Sequence, residues 1–298
     1  LKKPAGRVEF PCCRPRAAAH PTRRSPRLSR PEDDVIRDNW ALILGASSGF
    51  GAAAATALAR AGMHVFGVHL DRKATIHNVE RIVGEIEAEG RRAVFFNVNA
   101  ADAARRRETI DHMEEVLAES GRPGGIKVML HSLAFGALKP YLADDPKRAI
   151  TESNMEMTLS VMAHSLVYWT QDLVGRGLMK GPARIFAMTS AGGHRVWKTY
   201  GAVSAAKAAL EAHVRQLAYE LAPARITVNA IRAGVTVTPA LEKIPGSDEI
   251  IAGALKANPS GRLTTPEDVA DAIVALASPG THWVTGNVIG VDGGEDLV

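Results

Sequence analysis

Tyr200 and Lys207 stand seven residues apart in the stretch TYGAVSAAKAAL. A phenol is a sluggish acid near neutrality, with an ordinary pKa of about 10. A nearby ammonium stabilises the phenolate and brings that proton into a useful range. Seven residues of α-helix rotate the chain by about 700°, about 20° short of two full turns, so the two side chains share a face. Ser190, ten residues before Tyr200, ends the apolar run ARIFAMTS. Its hydroxyl is suited either to donate to a substrate oxygen or to cap the end of a strand. Tyr200 starts a helical stretch, where a lone tyrosine is more often packing, and no other tyrosine lies four residues before Lys207, where Val203 stands.

A second constellation is GASSGFG, with Gly45, Ser47, Ser48, Gly49, Phe50 and Gly51. Glycines let a backbone turn sharply and approach a pyrophosphate, and the helix that follows offers free N–H groups and the positive end of its dipole. The two serines add hydroxyl donors. A glycine cluster alone is weak evidence, because any tight strand-to-helix turn favours glycine. Here it follows the first apolar strand and opens the first helix, the position a dinucleotide needs.

These residues need a scaffold, and the chain supplies an alternation. WALILGA, HVFGVHL, AVFFNV, IKVMLHSLA, ARIFAMTS, ITVNAI and NVIGVDGG read as strands. Between them lie helical patterns, among them an amphipathic run in TIHNVERIVGEIEAEG, a segment over 102–120, a long stretch from Met155 to Arg176 and a helix over 199–221. A mostly helical segment is expected from Pro239 to Ala257 and a helix from Pro266 to Ala277. Continuous apolar strands separated by helices imply an α/β fold: one doubly wound Rossmann-type domain with a parallel sheet of about seven strands and helices on both faces. Such sheets bind ligands beyond the carboxyl ends of their strands, where the strand order reverses.

The chain of 298 residues is 46% hydrophobic and 23% charged, an ordinary soluble composition. Residues 1–30 carry nine Lys or Arg and one acid, a charge of +8 in a chain of net +4, which leaves the body mildly acidic. Residues 1–37 are expected to form a disordered basic Pro/Arg-rich extension, with the domain over 38–298. A basic tail can bind nucleic acid or act as a leader, but no nucleic-acid role is expected. Absence of a long apolar run predicts no membrane span. Cys12 and Cys13 are adjacent and cannot staple the fold, which suggests a reducing compartment, the cytoplasm. The ten histidines show no ligand-like spacing, so no metal is expected.

The GxxxGxG spacing of the glycine loop, HSLA at 131–134, VNAIRAG at 228–234 and VDGG at 291–294 together resemble the short-chain dehydrogenase/reductase superfamily from about residue 38 onward. The Y-x6-K pair is similar to that of its enoyl-[acyl-carrier-protein] reductases, where the commoner ketoreductases space the pair by four. Further similar stretches are HSLAFGALKP, KAALEAHVRQLAYELAP, AGVTVTPALEKIPGSDEI and PSGRLTTPEDVAD. The three extra residues add about 4.5 Å of rise, moving the phenol away from the lysine along the cofactor. That suits an enoyl thioester, whose hydride enters at the β-carbon while the acid must reach a remoter enolate oxygen.

The resemblance implies that Asn97 and Val98 cup an adenine ring, that Ser132, Leu133, Ala134, Gly234 and Thr236 line the cofactor, and that Lys207 holds the nicotinamide ribose. A segment near 235–262 is implied to cover the substrate, and a homotetramer is implied as the assembly. No carboxylate stands at His69, where selection for NADH would place one. Arg72 and Lys73 suit a 2′-phosphate, so NADPH is expected, with NADH possible because Asp71 adjoins them. An acidic acyl carrier protein would bring the thioester, and Arg195 and Lys198 are candidates for a basic rim. Where many enoyl reductases carry a second tyrosine this chain has Ser190, and Met162 lies near the place of the superfamily's helix asparagine, which puts a water relay there in doubt. The rival readings are a short-chain carbonyl reductase and a non-catalytic dinucleotide-sensing protein.

Overall fold

The structure, a computed structural model, describes residues 35–122 and 125–297. The basic extension up to residue 34, with Cys12 and Cys13, lies outside the described residues. Seven parallel strands form one sheet: β1 (Trp40–Leu44), β2 (His64–His69), β3 (Ala93–Asn97), β4 (Ile126–His131), β5 (Ala183–Ser190), β6 (Ile226–Ala233) and β7 (Val288–Val291). Their order is β3-β2-β1-β4-β5-β6-β7. The chain winds outward from β1 to β3, then returns to pair β4 with the other edge of β1, and that reversal opens a crevice at the carboxyl ends of β1 and β4.

Every residue of β1 is buried, because both faces of the sheet are covered. Trp40, Leu42 and Leu44 point into one apolar layer, which holds Trp169 and Leu210. Ala41 and Ile43 point into the other with Leu58, Ile82 and Ile273. The period of two along the strand thus feeds two cores. The helices are α1 (Gly49–Arg60), α2 (Ile76–Ala88), α3 (Ala103–Glu119), α4 (Glu152–Leu159), α5 (Ser165–Gly175), α6 (Gly201–Leu221), α7 (Ser247–Ala257) and α8 (Pro266–Ala277). No helix among the described residues is long and apolar enough to cross a membrane.

Four details differ from expectation. Val35, three residues before the expected boundary at 38, is fully buried against the core. The long stretch over 155–176 is interrupted by a π turn at Ser160–His164. Ser165 at its end returns its hydroxyl to Val161 O at 2.7 Å, a competing bond of the kind that distorts a helix ladder. The segment from Pro239 is helical only from Ser247, after Gly246 takes a left-handed φ of 82°. Finally, α6 begins at Gly201 and not at 199, since Thr199 adopts φ 64° and Tyr200 is the capping residue.

Candidate active site

The first βα turn is built by exclusion of side chains. A Cβ on Gly51 would collide with the carbonyl oxygen of Gly45, and one on Gly45, at φ 92°, would collide with that of Ser132. The turn therefore packs against the end of β4 with a bare backbone surface. Ser48 caps α1 in an extended conformation, yet its hydroxyl makes no capping bond. A bare backbone cradle at a helix N-terminus fits a dinucleotide pyrophosphate, which Gly45, Ser47, Ser48, Gly49 and Gly51 would hold.

Beyond β2 and β3, Asn97 cross-links the two strand ends, accepting from Asp71 N at 3.0 Å and donating to Asp71 O at 2.9 Å. Val98 N donates to His69 O at 2.8 Å. The Asp71 carboxylate is only 11% exposed and meets His69 Nδ1 at 3.0 Å. Hydrogen bonds from Thr75, Ser47 and His69 outweigh its burial and lower its pKa. Arg72 and Lys73 stay exposed beside it.

At the carboxyl ends of β4, β5 and β6 lies a cleft of about 270 Å³. It brings together Tyr200, Lys207 and Ser190 with Phe50, Ser132, Leu133, Ala134, Gly234 and Thr236. Gly45, Ser47, Ser48, Gly49, Gly51, Arg72, Asn97 and Val98 are not in its wall; they belong to the β1–β3 side of the same sheet edge. The segment from Val235 to Ile250 closes another side with Leu241 and Ile244, and Leu138, Met162, Met188 and Val203 make the floor apolar.

Lys207 is 5% exposed and donates from Nζ to Met188 O at 2.6 Å. Burial pulls its pKa down to about 8, with Glu211 one turn further opposing. Glu211 itself accepts from Thr189 Oγ1 at 2.7 Å, fastening α6 to the end of β5. Burial raises the Tyr200 pKa, and the Ser190 hydroxyl works against it. Lys207 directs its ammonium at the Met188 carbonyl, on the strand beside the phenol. Ser190 Oγ, beside the phenol, is buried with no formed hydrogen bond. An orphan hydroxyl next to an acid of this kind is ready for an oxygen that comes from outside the chain.

Several residues of the cleft had no signal in the sequence. Trp197 stands edge-on to Tyr200, with ring centroids 5.8 Å apart. Met188 adds a carbonyl for Lys207 to its part in the apolar floor, and any residue type supplies that carbonyl. His131, at the end of β4, is fully buried; its Nε2 meets Ser165 Oγ at 2.8 Å. Burial first, and the charge of Lys207 second, push its pKa to about 3, so it stays neutral. Glu295 reaches the cleft from the far end of the chain and accepts Val235 N–H at 3.0 Å. Burial raises its pKa, the Val235 amide opposes that, and Asp292 adds to the rise. Arg195, a candidate for a basic rim, is engaged with Asp296 at 2.8 Å.

A doubly wound sheet, a bare glycine turn and a Ser–Tyr–Lys cluster at the switch point define a dinucleotide-dependent oxidoreductase site. The chain belongs to the short-chain dehydrogenase/reductase superfamily: the family model described as Enoyl-(Acyl carrier protein) reductase matches residues 45–295. A short-chain dehydrogenase/reductase of Pestalotiopsis microspora is 31% identical over 86% of this chain and 94% of its own length. The 1-cyclohexenylcarbonyl-CoA reductase of Streptomyces collinus is 30% identical over 88% of each chain. Among solved structures, the NADH enoyl-[acyl-carrier-protein] reductase of Aquifex aeolicus superposes with a TM-score of 0.74 at 25% identity, covering 89% of this chain and 98% of that one. A reductase that performs a keto-reduction in lugdunomycin biosynthesis gives 0.75 at 26% identity, covering 88% and 99%.

Proposed function

We propose that the protein reduces trans-2-enoyl thioesters, carried on an acyl carrier protein, in fatty acid synthesis, with NADPH as the donor. The observation that carries this reading is that Lys207, buried in the helix that Tyr200 caps and seven residues after it, shares with that phenol a cleft whose floor and cover are apolar. The bound nicotinamide would supply a hydride, which enters the enoyl β-carbon. Tyr200 hydrogen-bonds the oxygen that becomes an enolate and holds the proton it needs. Ser190 Oγ, beside that phenol and unpartnered, donates to the same oxygen. Lys207 anchors the ribose and brings positive charge. The segment from Val235 to Ile250 excludes water from the acyl chain.

The exposed pair Arg72 and Lys73 supports NADPH. The commitment of Asp71 to His69, Thr75 and Ser47 removes the nearest competing carboxylate from the ribose. A homotetramer belongs to the same reading, supported by the open edge of β7 and the exposed ring of Trp283 beyond it.

One observation favours a second reading. The Ser190–Tyr200 couple would serve the carbonyl oxygen of a ketone as well as that of a thioester. Purified protein is supplied with NADPH or NADH, and cofactor oxidation is followed separately with crotonyl and acetoacetyl thioesters. Turnover of the crotonyl substrate, preference for NADPH, and a loss of about 10²–10⁴-fold in Tyr200→Phe are expected. Turnover of the acetoacetyl substrate alone would establish the carbonyl reductase instead. Dinucleotide binding with no turnover of either, and indifference to Tyr200→Phe, would mark a sensing protein.

A further inference from the structure

The last turn of the described chain, Glu295–Leu297, carries two carboxylates, of which Glu295 borders the cleft. Glu295 is 9% exposed, forms part of the cleft wall, and accepts Val235 N–H with both oxygens, at 3.2 and 3.0 Å. Gly234 is packed tightly against it, since a Cβ there would stand 2.9 Å from Glu295 Oε2. The Asp296 side chain, also 9% exposed, gathers two guanidiniums and an imidazole from two other segments: Arg195 at 2.8 Å, Arg232 at 3.0 Å and His194 at 3.1 Å. Arg232 belongs to β6, two residues before Gly234. His194 and Arg195 sit in the loop between Ser190 and Tyr200, where Arg195 N also bonds Ala191 O at 2.8 Å.

We propose that Glu295 and Asp296 form a positioning clamp, which fixes the Ser190–Tyr200 loop and the Gly234–Thr236 turn relative to each other and thereby sets the cleft geometry for reduction. The reasoning is mechanical. The Ser190–Tyr200 loop has no regular structure from His194 to Thr199, and Tyr200 is tied at its far end to α6 by Ser204 N–H, so the loop needs a second fixed point between its ends. The turn after β6 is likewise outside regular structure. A single carboxylate shared by cations from both segments couples them, because any displacement of one leaves a poorly solvated charge behind. The neighbouring carboxylate closes the same junction by occupying a backbone amide that otherwise opens into the cleft. Asp296 is thus a positioning residue acting through Arg195 and Arg232, while Glu295 borders the space a ligand takes.

The clamp rests on the proposed reduction only for its catalytic readout, so the test has a second one. Full-length wild type, Asp296→Asn, Asp296→Glu and Glu295→Gln are compared by steady-state kinetics on whichever thioester the wild type turns over, and by amide hydrogen exchange. Asp296→Asn is expected to lower kcat by at least tenfold with KM within about twofold. Exchange over 191–200 and 234–238 should accelerate at least tenfold while β1 and β4 stay protected. Asp296→Glu should restore a large part of kcat, and Arg195→Ala combined with Asp296→Asn should add little to either alone. Unchanged exchange in both segments for Asp296→Asn and Glu295→Gln would overturn the clamp, as would a uniform acceleration across the whole sheet, which marks plain destabilisation. Should the wild type turn over neither thioester, the proposed reduction falls, and the exchange pattern still decides the clamp.

Discussion

Lys207 and Thr199 are the residues whose local physics most constrains the chemistry. Burial holds the Lys207 pKa at about 8, below the 10.5 of a free lysine. Between those values the unfolded chain binds a proton that the folded chain releases, so this group penalises the fold at lower pH and the penalty fades as pH rises through the window. For the reaction the sign is opposite, because the ammonium is the useful form. In the free enzyme kcat/KM should fall on the alkaline side with an apparent pKa near 8; a profile flat to pH 10 would remove Lys207's charge from the mechanism. Thr199 is a β-branched residue held at φ 64°, with its Oγ1 buried and unpartnered. Left-handed backbone costs a residue other than Gly about 1–2 kcal/mol, and asparagine tolerates it better. Thr199→Asn is expected to stabilise the protein by about 0.5–1 kcal/mol, read as a higher midpoint in thermal unfolding.

At the scale of the element, the glycine turn and the two halves of the interrupted helix behave differently. The turn between β1 and α1 is set by backbone contact between Gly51, Gly45 and Ser132, and no side-chain adjustment relieves an added methyl. Gly51→Ala should shift α1 and weaken dinucleotide binding at least tenfold, measured as the Kd for NADPH or NADH by fluorescence titration, with a stability loss of about 1–3 kcal/mol. The pattern of glycines announced this turn, because bare backbone can be encoded in no other way. The π turn between α4 and α5 was not legible. Its apolar periodicity matches an ordinary helix, and the distortion comes from hydroxyl-to-carbonyl bonds at Ser165 and from its contact with His131 on a distant strand.

For the whole molecule, the described chain packs from Val35 onward into two cores, one on each face of the sheet. Removal of residues 1–30 takes away nine cations. That variant should keep its reductase activity and melting temperature, and should sediment as the parent does. A salt-dependent affinity for DNA that disappears with the deletion would give the tail a nucleic-acid role.

What could be read from the residues alone was whatever depends on local rules. Strand and helix alternation, the glycine turn and the pairing of Tyr200 with Lys207 on one side of a helix follow from periodicities of two and 3.6 and from the special backbone of glycine. The order β3-β2-β1-β4-β5-β6-β7 is what carries Ser190, Tyr200 and Gly234 to one crevice. The direction of Lys207, turned to Met188 rather than to the phenol, and the arrival of Glu295 and Asp296 at the cleft were decided by tertiary structure only. The physical reason is range: a helix face is set by neighbours within two turns, whereas a buried charge takes whatever partner the closed sheet brings within hydrogen-bond distance, however far along the chain that partner lies.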